Sequence, residues 1–206
     1  MKNQENSINQ EKYTVAAFDF DGTLTTKDTL FQFIKYAFGL PKFVMGMLWF
    51  VPIYLKNKLG LLSNSQAKEL LITYFFEGMS FEKFNQLGIS FKNEIEKMTN
   101  SKTFELLDWH KNQGHKIIIV SASVENWIAP WAQSVGFDCV IATKLEIKKG
   151  SLTGKFASNN CNGPEKIKRL LSEYPDRSNY VLYAYGDSDG DKELLAGADF
   201  PHYLRR

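Results

Sequence analysis

The sequence contains few of the residues from which disulfide frameworks, zinc sites and nucleic-acid surfaces are built. Among 206 residues there are two cysteines, Cys139 and Cys161, and three histidines, and none of these stands in a metal-ligand spacing. The formal net charge is only +2, so we expect no nucleic-acid partner. Because two cysteines cannot form a disulfide framework, we expect a reducing, cytoplasmic location.

The sequence also lacks a long hydrophobic run. Its most apolar stretch, FVMGMLWFVPIYL at residues 43–55, has 13 residues and includes a proline, whereas a membrane-spanning helix needs about 20. Residues 1–13 are polar, without the apolar core of a signal peptide, and predict a frayed tail. We therefore expect no integral membrane segment. We interpret residues 43–55 as a buried helix, and the alternative is a surface that contacts lipid or an apolar substrate peripherally.

What the sequence does contain is an alternation of strand patterns and helical patterns. Short runs rich in valine, isoleucine and tyrosine predict strands over residues 14–20, 115–122, 138–143 and 179–187. Between these runs, helical patterns end at glycines or begin at a proline. This alternation is typical of a Rossmann-like, doubly wound parallel sheet, so we predict an α/β fold.

One long segment breaks the alternation. Residues 29–98 contain helical patterns only, with Ser or Asn at their starts and glycine at two of their ends. We predict that they form an all-helical cap inserted into the chain. The remaining residues, 1–28 and 99–206, then form one catalytic core.

Polar side chains collect where the predicted strands end. Asp19 and Asp21 follow the first strand, Ser121 ends the second, and Asp187 follows the last. Parallel strands end at the same edge of a sheet, which is where such sheets bind ligands. Lys166, near the start of a predicted helix, adds a cation. Acids, a hydroxyl group and a lysine at one edge indicate phosphate chemistry with a divalent metal.

The residue types predict a division of roles. Mg²⁺ prefers hard oxygen ligands, and Asp19, Asp21 and Asp187 are the candidates to hold it. Asp19 can also attack phosphorus, while Asp21 can protonate the leaving oxygen and then activate water. Lys166 can neutralise the phosphate and the nucleophile. The remaining candidates hold phosphoryl oxygens (Thr23, Ser121 and Ala122, together with Lys166) or orient the other groups (Ser188 and Asp191).

In this order, the residues resemble the four motifs of the haloacid dehalogenase superfamily of phosphotransferases. DFDGT resembles the first motif, VSAS the second, Lys166 in GPEKIKRL the third, and GDSDGD the fourth. One motif alone is a weak signal, whereas the ordered set is specific. The position of the cap, with SASVENW and GSLTGKF, resembles the phosphoserine-phosphatase-like branch. The resemblance implies Mg²⁺ dependence, an aspartyl-phosphate intermediate, a cap that closes over the substrate and, because Asp21 is present, hydrolysis of a small phosphorylated substrate.

The cap departs from the phosphoserine phosphatases of that branch. They carry an arginine in the cap to hold the amino acid, but residues 29–98 contain none, and lysine is a poor substitute for its planar fork. They also carry a glutamate near the position of Asp28, which could equally cap the next helix. The cap is instead apolar and aromatic. Asp189 could either orient the residues that bind the metal or be an ordinary turn residue, and its role stays open as well.

Two alternatives to a phosphatase that acts on a soluble phosphomonoester remain. The first is a lipid phosphate such as phosphatidylglycerophosphate, hydrolysed at a membrane surface by a peripheral enzyme. The second is a signalling receiver that is phosphorylated on aspartate and has no substrate of its own. The cap and the Asp-x-Asp spacing argue against the receiver.

Overall fold

A five-stranded parallel sheet forms the centre of the structure. The computed structural model describes residues 12–204, so nearly all of the predicted frayed tail lies outside the described residues. The strands in chain order are β1 (Tyr13–Phe18), β2 (Lys116–Val124), β3 (Cys139–Thr143), β4 (Leu145–Lys148), β5 (Ser151–Phe156), β6 (Tyr180–Gly186) and β7 (Phe200–Tyr203). The sheet has the order β3-β2-β1-β6-β7, with every neighbouring pair parallel, and β4 and β5 form a separate antiparallel hairpin. The predicted α/β class is confirmed.

Helices cover both faces of this sheet. In chain order they are α1 (Thr29–Lys58), α2 (Asn64–Phe76), α3 (Phe81–Glu96), α4 (Ser101–Asn112), α5 (Glu125–Val135), α6 (Pro164–Glu173) and α7 (Lys192–Ala196). Side chains of α4 and α5 share one hydrophobic cluster with Phe18, whereas side chains of α6 and α7 share another with Ala17. The sheet is therefore the middle layer of three.

The central strand β1 shows why the sequence folds this way. Its last four residues, VAAF, are completely buried and point alternately to the two faces of the sheet. Phe18 lies opposite Ile119 of β2 and Tyr185 of β6. The polar residues that follow Phe18 therefore emerge at the carboxyl edge of the sheet, flanked by the ends of two other strands.

Helices α1, α2 and α3 precede β2 and form what we call the helical insertion, residues 29–98. The side chains of Asp28, Ser63 and Ser80 each accept a hydrogen bond from a backbone N–H in the first turn of the helix that follows. Thr25 forms a bridge with Thr99, so the two ends of the insertion lie side by side. The division into core and cap stays a prediction with these boundaries.

Helix α1 includes residues 43–55, which we interpreted as a buried helix, and most of these residues are exposed. Its first part is buried in the core through Leu30, Phe33 and Ile34. At Gly39 the backbone takes a φ of 75°, which only glycine adopts readily, and the helix resumes beyond this kink. In the second part Met45 is 62% exposed and Leu48 is 67% exposed. The interpretation of residues 43–55 as buried is therefore wrong for most of that stretch.

Candidate active site

Lys166 links two aspartates at the carboxyl edge of the sheet. Its Nζ lies 2.5 Å from Asp19 Oδ1 and 2.5 Å from Asp191 Oδ1. The ammonium comes from the first turn of α6, whose start is favoured by Pro164. Lys166 is only 2% exposed and Asp191 is fully buried. Burial alone would lower the pKa of Lys166, but the two carboxylates outweigh it and raise that pKa above its ordinary value.

For Asp19, the effect of burial on the pKa outweighs that of the neighbouring lysine. Its backbone N–H donates to the carbonyl of Tyr185 at 2.9 Å, which continues the pairing of β1 with β6 by one residue. Burial raises the pKa of the Asp19 carboxyl to about 7, against the lowering effect of Lys166 and with a further raising contribution from Asp191. The site therefore holds more buried negative charge than one lysine neutralises.

The loop after β6 is organised around Asp191. Asp191 Oδ2 accepts hydrogen bonds from the backbone N–H of Asp187, the backbone N–H of Ser188 and the Ser188 hydroxyl, at 3.2, 3.0 and 2.7 Å. A Cβ atom on Gly186 would lie 2.5 Å from the Cβ of Asp191, so glycine is needed for this close approach. The orienting role of Asp191 and Ser188 stays a prediction, and these hydrogen bonds are compatible with it. Thr23 Oγ1 donates to Asp187 Oδ1 at 3.1 Å.

The acids at this edge fit a magnesium ion. Asp19, Asp187 and Asp191 offer oxygen atoms that all lie within 4.8 Å of one another. They carry three formal negative charges beside the single positive charge of Lys166, and carboxylate oxygens are the ligands that Mg²⁺ prefers. Because both oxygens of Asp191 already accept hydrogen bonds, Asp19 and Asp187 are the better candidates to hold the ion.

Asp21 lies outside this group of acids and has its own partners. Its Oδ1 accepts from the backbone N–H and the hydroxyl of Thr29, both at 2.7 Å. Its Oδ2 accepts from the hydroxyl of Ser123. The predicted contact of Asp21 with the metal therefore stays a prediction. Thr29 and Ser123 are both fully buried. The sequence predicted no role for either residue, although Ser123 lies within VSAS at the end of the second predicted strand.

The end of β2 carries the residues predicted to hold phosphate. Ser121 is buried, and its hydroxyl oxygen accepts from the backbone N–H of Ser123 at 3.0 Å. The carbonyl of Ala122 accepts from the side chains of Thr143 and Lys68, at 2.7 and 2.8 Å. The structure brings Ser121 and Ala122 to the same edge as Asp19, and their roles in binding phosphate stay predictions.

Lys68 is a residue of α2 that the sequence reasoning did not select. Its ammonium reaches from the helical insertion to Ala122 at the end of β2. Burial lowers the pKa of Lys68, while the carboxylates of Asp21, Asp28 and Asp19 act in the opposite direction. The signal available in the sequence was its helical spacing from the buried residues Leu71 and Phe75.

The two aspartates of open role have different environments. Asp28 accepts from the backbone N–H of Leu30 at 2.9 Å and caps α1. Burial and then the charge of Asp21 raise the pKa of Asp28. Asp189 is 88% exposed at its side chain and pairs with Lys192 at 2.9 Å, so it is a turn residue on the surface.

A cavity of about 280 Å³ lies between α1 and α2, and its lining includes Lys68, whose ammonium contacts Ala122 at the end of β2. Asp28 and Lys68 contribute its charged lining, and Phe50 and Tyr54 of α1 contribute aromatic lining. The cavity thus offers both charged and aromatic side chains to a ligand.

Comparisons with known proteins agree with this description. A family model described as haloacid dehalogenase-like hydrolase matches residues 16–196. Protein CicA of Caulobacter vibrioides is 31% identical over 192 residues, which cover 92% of this chain and 85% of that protein.

Two solved structures share the fold at low sequence identity. A protein of unknown function from Bordetella pertussis Tohama I has a TM-score of 0.77 at 20% identity, covering 90% of this chain and 87% of its own. A phosphoserine phosphatase solved as a phospho-aspartyl intermediate analogue has a TM-score of 0.62 at 19% identity, covering 91% of this chain and 84% of its own.

Proposed function

We propose a phosphatase reaction for this chain, which belongs to the family of haloacid dehalogenase-like hydrolases. The substrate is a phosphomonoester, and the reaction runs in two steps through Asp19. The observation that carries the proposal is the contact of Lys166 with Asp19 at 2.5 Å, next to a second carboxylate, Asp21, that Thr29 and Ser123 hold in place.

In the first step, a carboxylate oxygen of Asp19 attacks the phosphorus. A P–O bond to Asp19 forms, the ester P–O bond breaks, and the leaving oxygen takes a proton from Asp21. In the second step, Asp21 takes a proton from water, and the water oxygen attacks the phosphorus. The P–O bond to Asp19 breaks, so one ester and one water give one alcohol and one inorganic phosphate.

The other residues prepare these steps. Lys166 contacts the nucleophile Asp19, and its positive charge would offset the negative charge that the phosphoryl group brings. Asp191 fixes the ammonium of Lys166 and the backbone that carries Asp187. Mg²⁺, held by Asp19 and Asp187, would supply positive charge against the phosphoryl oxygens.

The test is Mg²⁺-dependent phosphate release from phosphoserine, sugar phosphates, nucleotides and detergent-dispersed phosphatidylglycerophosphate. We expect Asp19→Asn to lower turnover by about 1,000-fold or more, because the nucleophile is lost. The matched control is Asp189→Asn, which removes an exposed acid of the same edge and should keep full activity. Near-normal turnover by Asp19→Asn, with thermal unfolding confirming the fold of both variants, would overturn the assignment.

A lipid phosphate is the second candidate substrate, and one observation favours it. The cavity that is lined by Asp28 and Lys68 is also lined by Phe50 and Tyr54 from the second part of α1, so a ligand with a charged group and an apolar chain would meet both kinds of side chain there. In the same phosphate-release screen, preferential hydrolysis of phosphatidylglycerophosphate would support the lipid, and preference for a soluble ester would exclude it.

A further inference from the structure

The second part of α1 carries a large apolar surface that is about half exposed or more in the described part of the chain. We call it the exposed face of α1, and it consists of Val44, Met45, Leu48, Trp49, Val51, Tyr54 and Leu55, each at least 42% exposed. Isolated exposed apolar side chains are ordinary, but a continuous set on one helix marks an interaction surface.

This face belongs to a fixed element. On its inner side, Gly46 lies so close to the ring of Phe75 that an added Cβ atom would meet the ring at 2.0 Å. Trp49 also stacks on Tyr74 of α2, with ring centroids 4.3 Å apart. The helix is thus seated on α2 along one side, while its opposite side is presented outward.

The same packing argues against a membrane-spanning role. Among residues 12–204, α1 is the one helix long and apolar enough to cross a membrane by length and composition. Its first part, however, is anchored in the core by Phe33 and Ile34, and α2 returns along it after a short turn. A helix held at both ends by one folded unit can lie along a bilayer surface but cannot cross the bilayer while those contacts persist.

The charged residues of α1 itself are of one sign. Residues Thr29–Lys58 contain no aspartate or glutamate, and their four charged residues are Lys35, Lys42, Lys56 and Lys58. Cations beside an apolar helix face, with Trp and Tyr among the apolar residues, suit the headgroup region of an anionic bilayer. A second copy of the chain on this face would instead bring like charges together.

We propose that the exposed face of α1 docks the protein on the surface of an anionic lipid bilayer, with the helix axis in the plane of the interface. Tyr54 belongs both to this face and to the lining of the cavity that contains Asp28 and Lys68. Docking would therefore place the cavity next to the headgroups. The binding itself does not depend on the proposed reaction.

Co-sedimentation with vesicles tests the docking. Vesicles of phosphatidylcholine with phosphatidylglycerol should bind the protein, and binding should weaken with added salt and with pure phosphatidylcholine. We expect the double variant Met45→Glu/Leu48→Glu to lose binding by about tenfold or more, because two acids then enter the contact. Ile89→Glu, which introduces one acid at a 53% exposed position of α3, is the control for acid placed away from this face and should bind as the wild type does.

Two further readouts keep the outcomes distinct. Bromine-labelled acyl chains should quench the fluorescence of the wild type more than that of Trp49→Phe, because Trp49 enters the interface. Hydrolysis of a soluble phosphomonoester should be unchanged in Met45→Glu/Leu48→Glu, so a failed reaction and failed docking are separable. Wild-type protein that stays in the supernatant, equal binding by the double variant, or a solution dimer that the double variant dissociates would each overturn the proposal.

Discussion

The carboxyl edge of the sheet and the second part of α1 depart from ordinary folding preferences in opposite ways. The edge buries charge, since Lys166, Asp19 and Asp191 are nearly inaccessible to solvent. The helix exposes apolar surface, since residues such as Met45 and Leu48 face outward. Buried charge and exposed apolar surface are the two features that stability alone does not select. We therefore place the proposed chemistry in the first region and the proposed docking in the second.

The comparison also shows how each departure is tolerated. At the edge, every buried charge of the Lys166 cluster has an opposite charge or a hydrogen-bond donor beside it. On α1, exposing the outward side chains costs little folding free energy, because the opposite side of the helix still packs on α2. We therefore expect the stability of the protein to be sensitive to the loss of a charged partner at the edge and insensitive to changes on the exposed face.

At the edge of the sheet, the largest expected effect follows from removing the shared cation. Lys166→Met would leave Asp19 and Asp191 buried together without their ammonium, and we expect a loss of about 3–5 kcal/mol in the free energy of unfolding. Urea denaturation measures this. Lys168→Met is the control, because the Lys168 side chain is 73% exposed and its ion pair, 3.7 Å from Nζ to Glu165 Oε2, lies at the surface. Equal effects of the two variants would contradict the expectation that losing a buried charged partner at the edge destabilises the protein.

A smaller effect is expected from His110, which is buried beneath the sheet. Its Nε2 lies 2.8 Å from the Tyr185 hydroxyl, and burial, followed by His115 and His202, lowers the pKa of His110 to about 4. Between about pH 6.5 and pH 4 the unfolded chain binds a proton that the folded chain does not, so stability falls as the pH falls. At about pH 5 this amounts to roughly 2 kcal/mol.

The measurement compares thermal or urea unfolding at about pH 7.5 and about pH 5 for the wild type and His110→Gln. The variant should lose less stability on acidification, because it has no imidazole at this position to protonate on unfolding. The same pH dependence in both proteins would show that other groups are responsible.

The smallest effect is expected at Leu48, and a buried residue in the first part of the same helix is its reference. Leu48→Ala should change the free energy of unfolding by less than about 0.5 kcal/mol, because the side chain is two-thirds exposed. Phe33→Ala, in the first part of the same helix, should cost about 3–5 kcal/mol, because Phe33 is fully buried and packs on Phe76 and Trp127. Similar losses at the two positions, measured by urea denaturation, would mean that Leu48 is covered in solution.

Much of the core could be predicted from the sequence. The strands appear as short apolar runs, and the structure has a strand at each predicted place. β7 was missed, since FPHY is short, contains a proline and is exposed at the sheet edge. The family resemblance is confirmed by the match over residues 16–196. The roles of the site residues, which the ordered motifs predict, stay predictions.

The supports of the site could not be predicted in the same way. Thr29 and Ser123 are 94 positions apart, and nothing in either segment indicates that both hydroxyls meet Asp21. Lys68 resembles any lysine on a helix until α2 is packed against the end of β2. Contacts of this kind depend on the relative placement of distant elements.

The sequence by itself determined that Asp19, Ser121 and Asp187 lie near one another. They follow three strands of a parallel sheet, and the carboxyl ends of such strands meet at one edge. Only the tertiary structure decided that residues 43–55 are largely exposed. That stretch is apolar on every side of the helix, so its pattern has no polar side to indicate solvent, and the side that packs is chosen by the approach of α2.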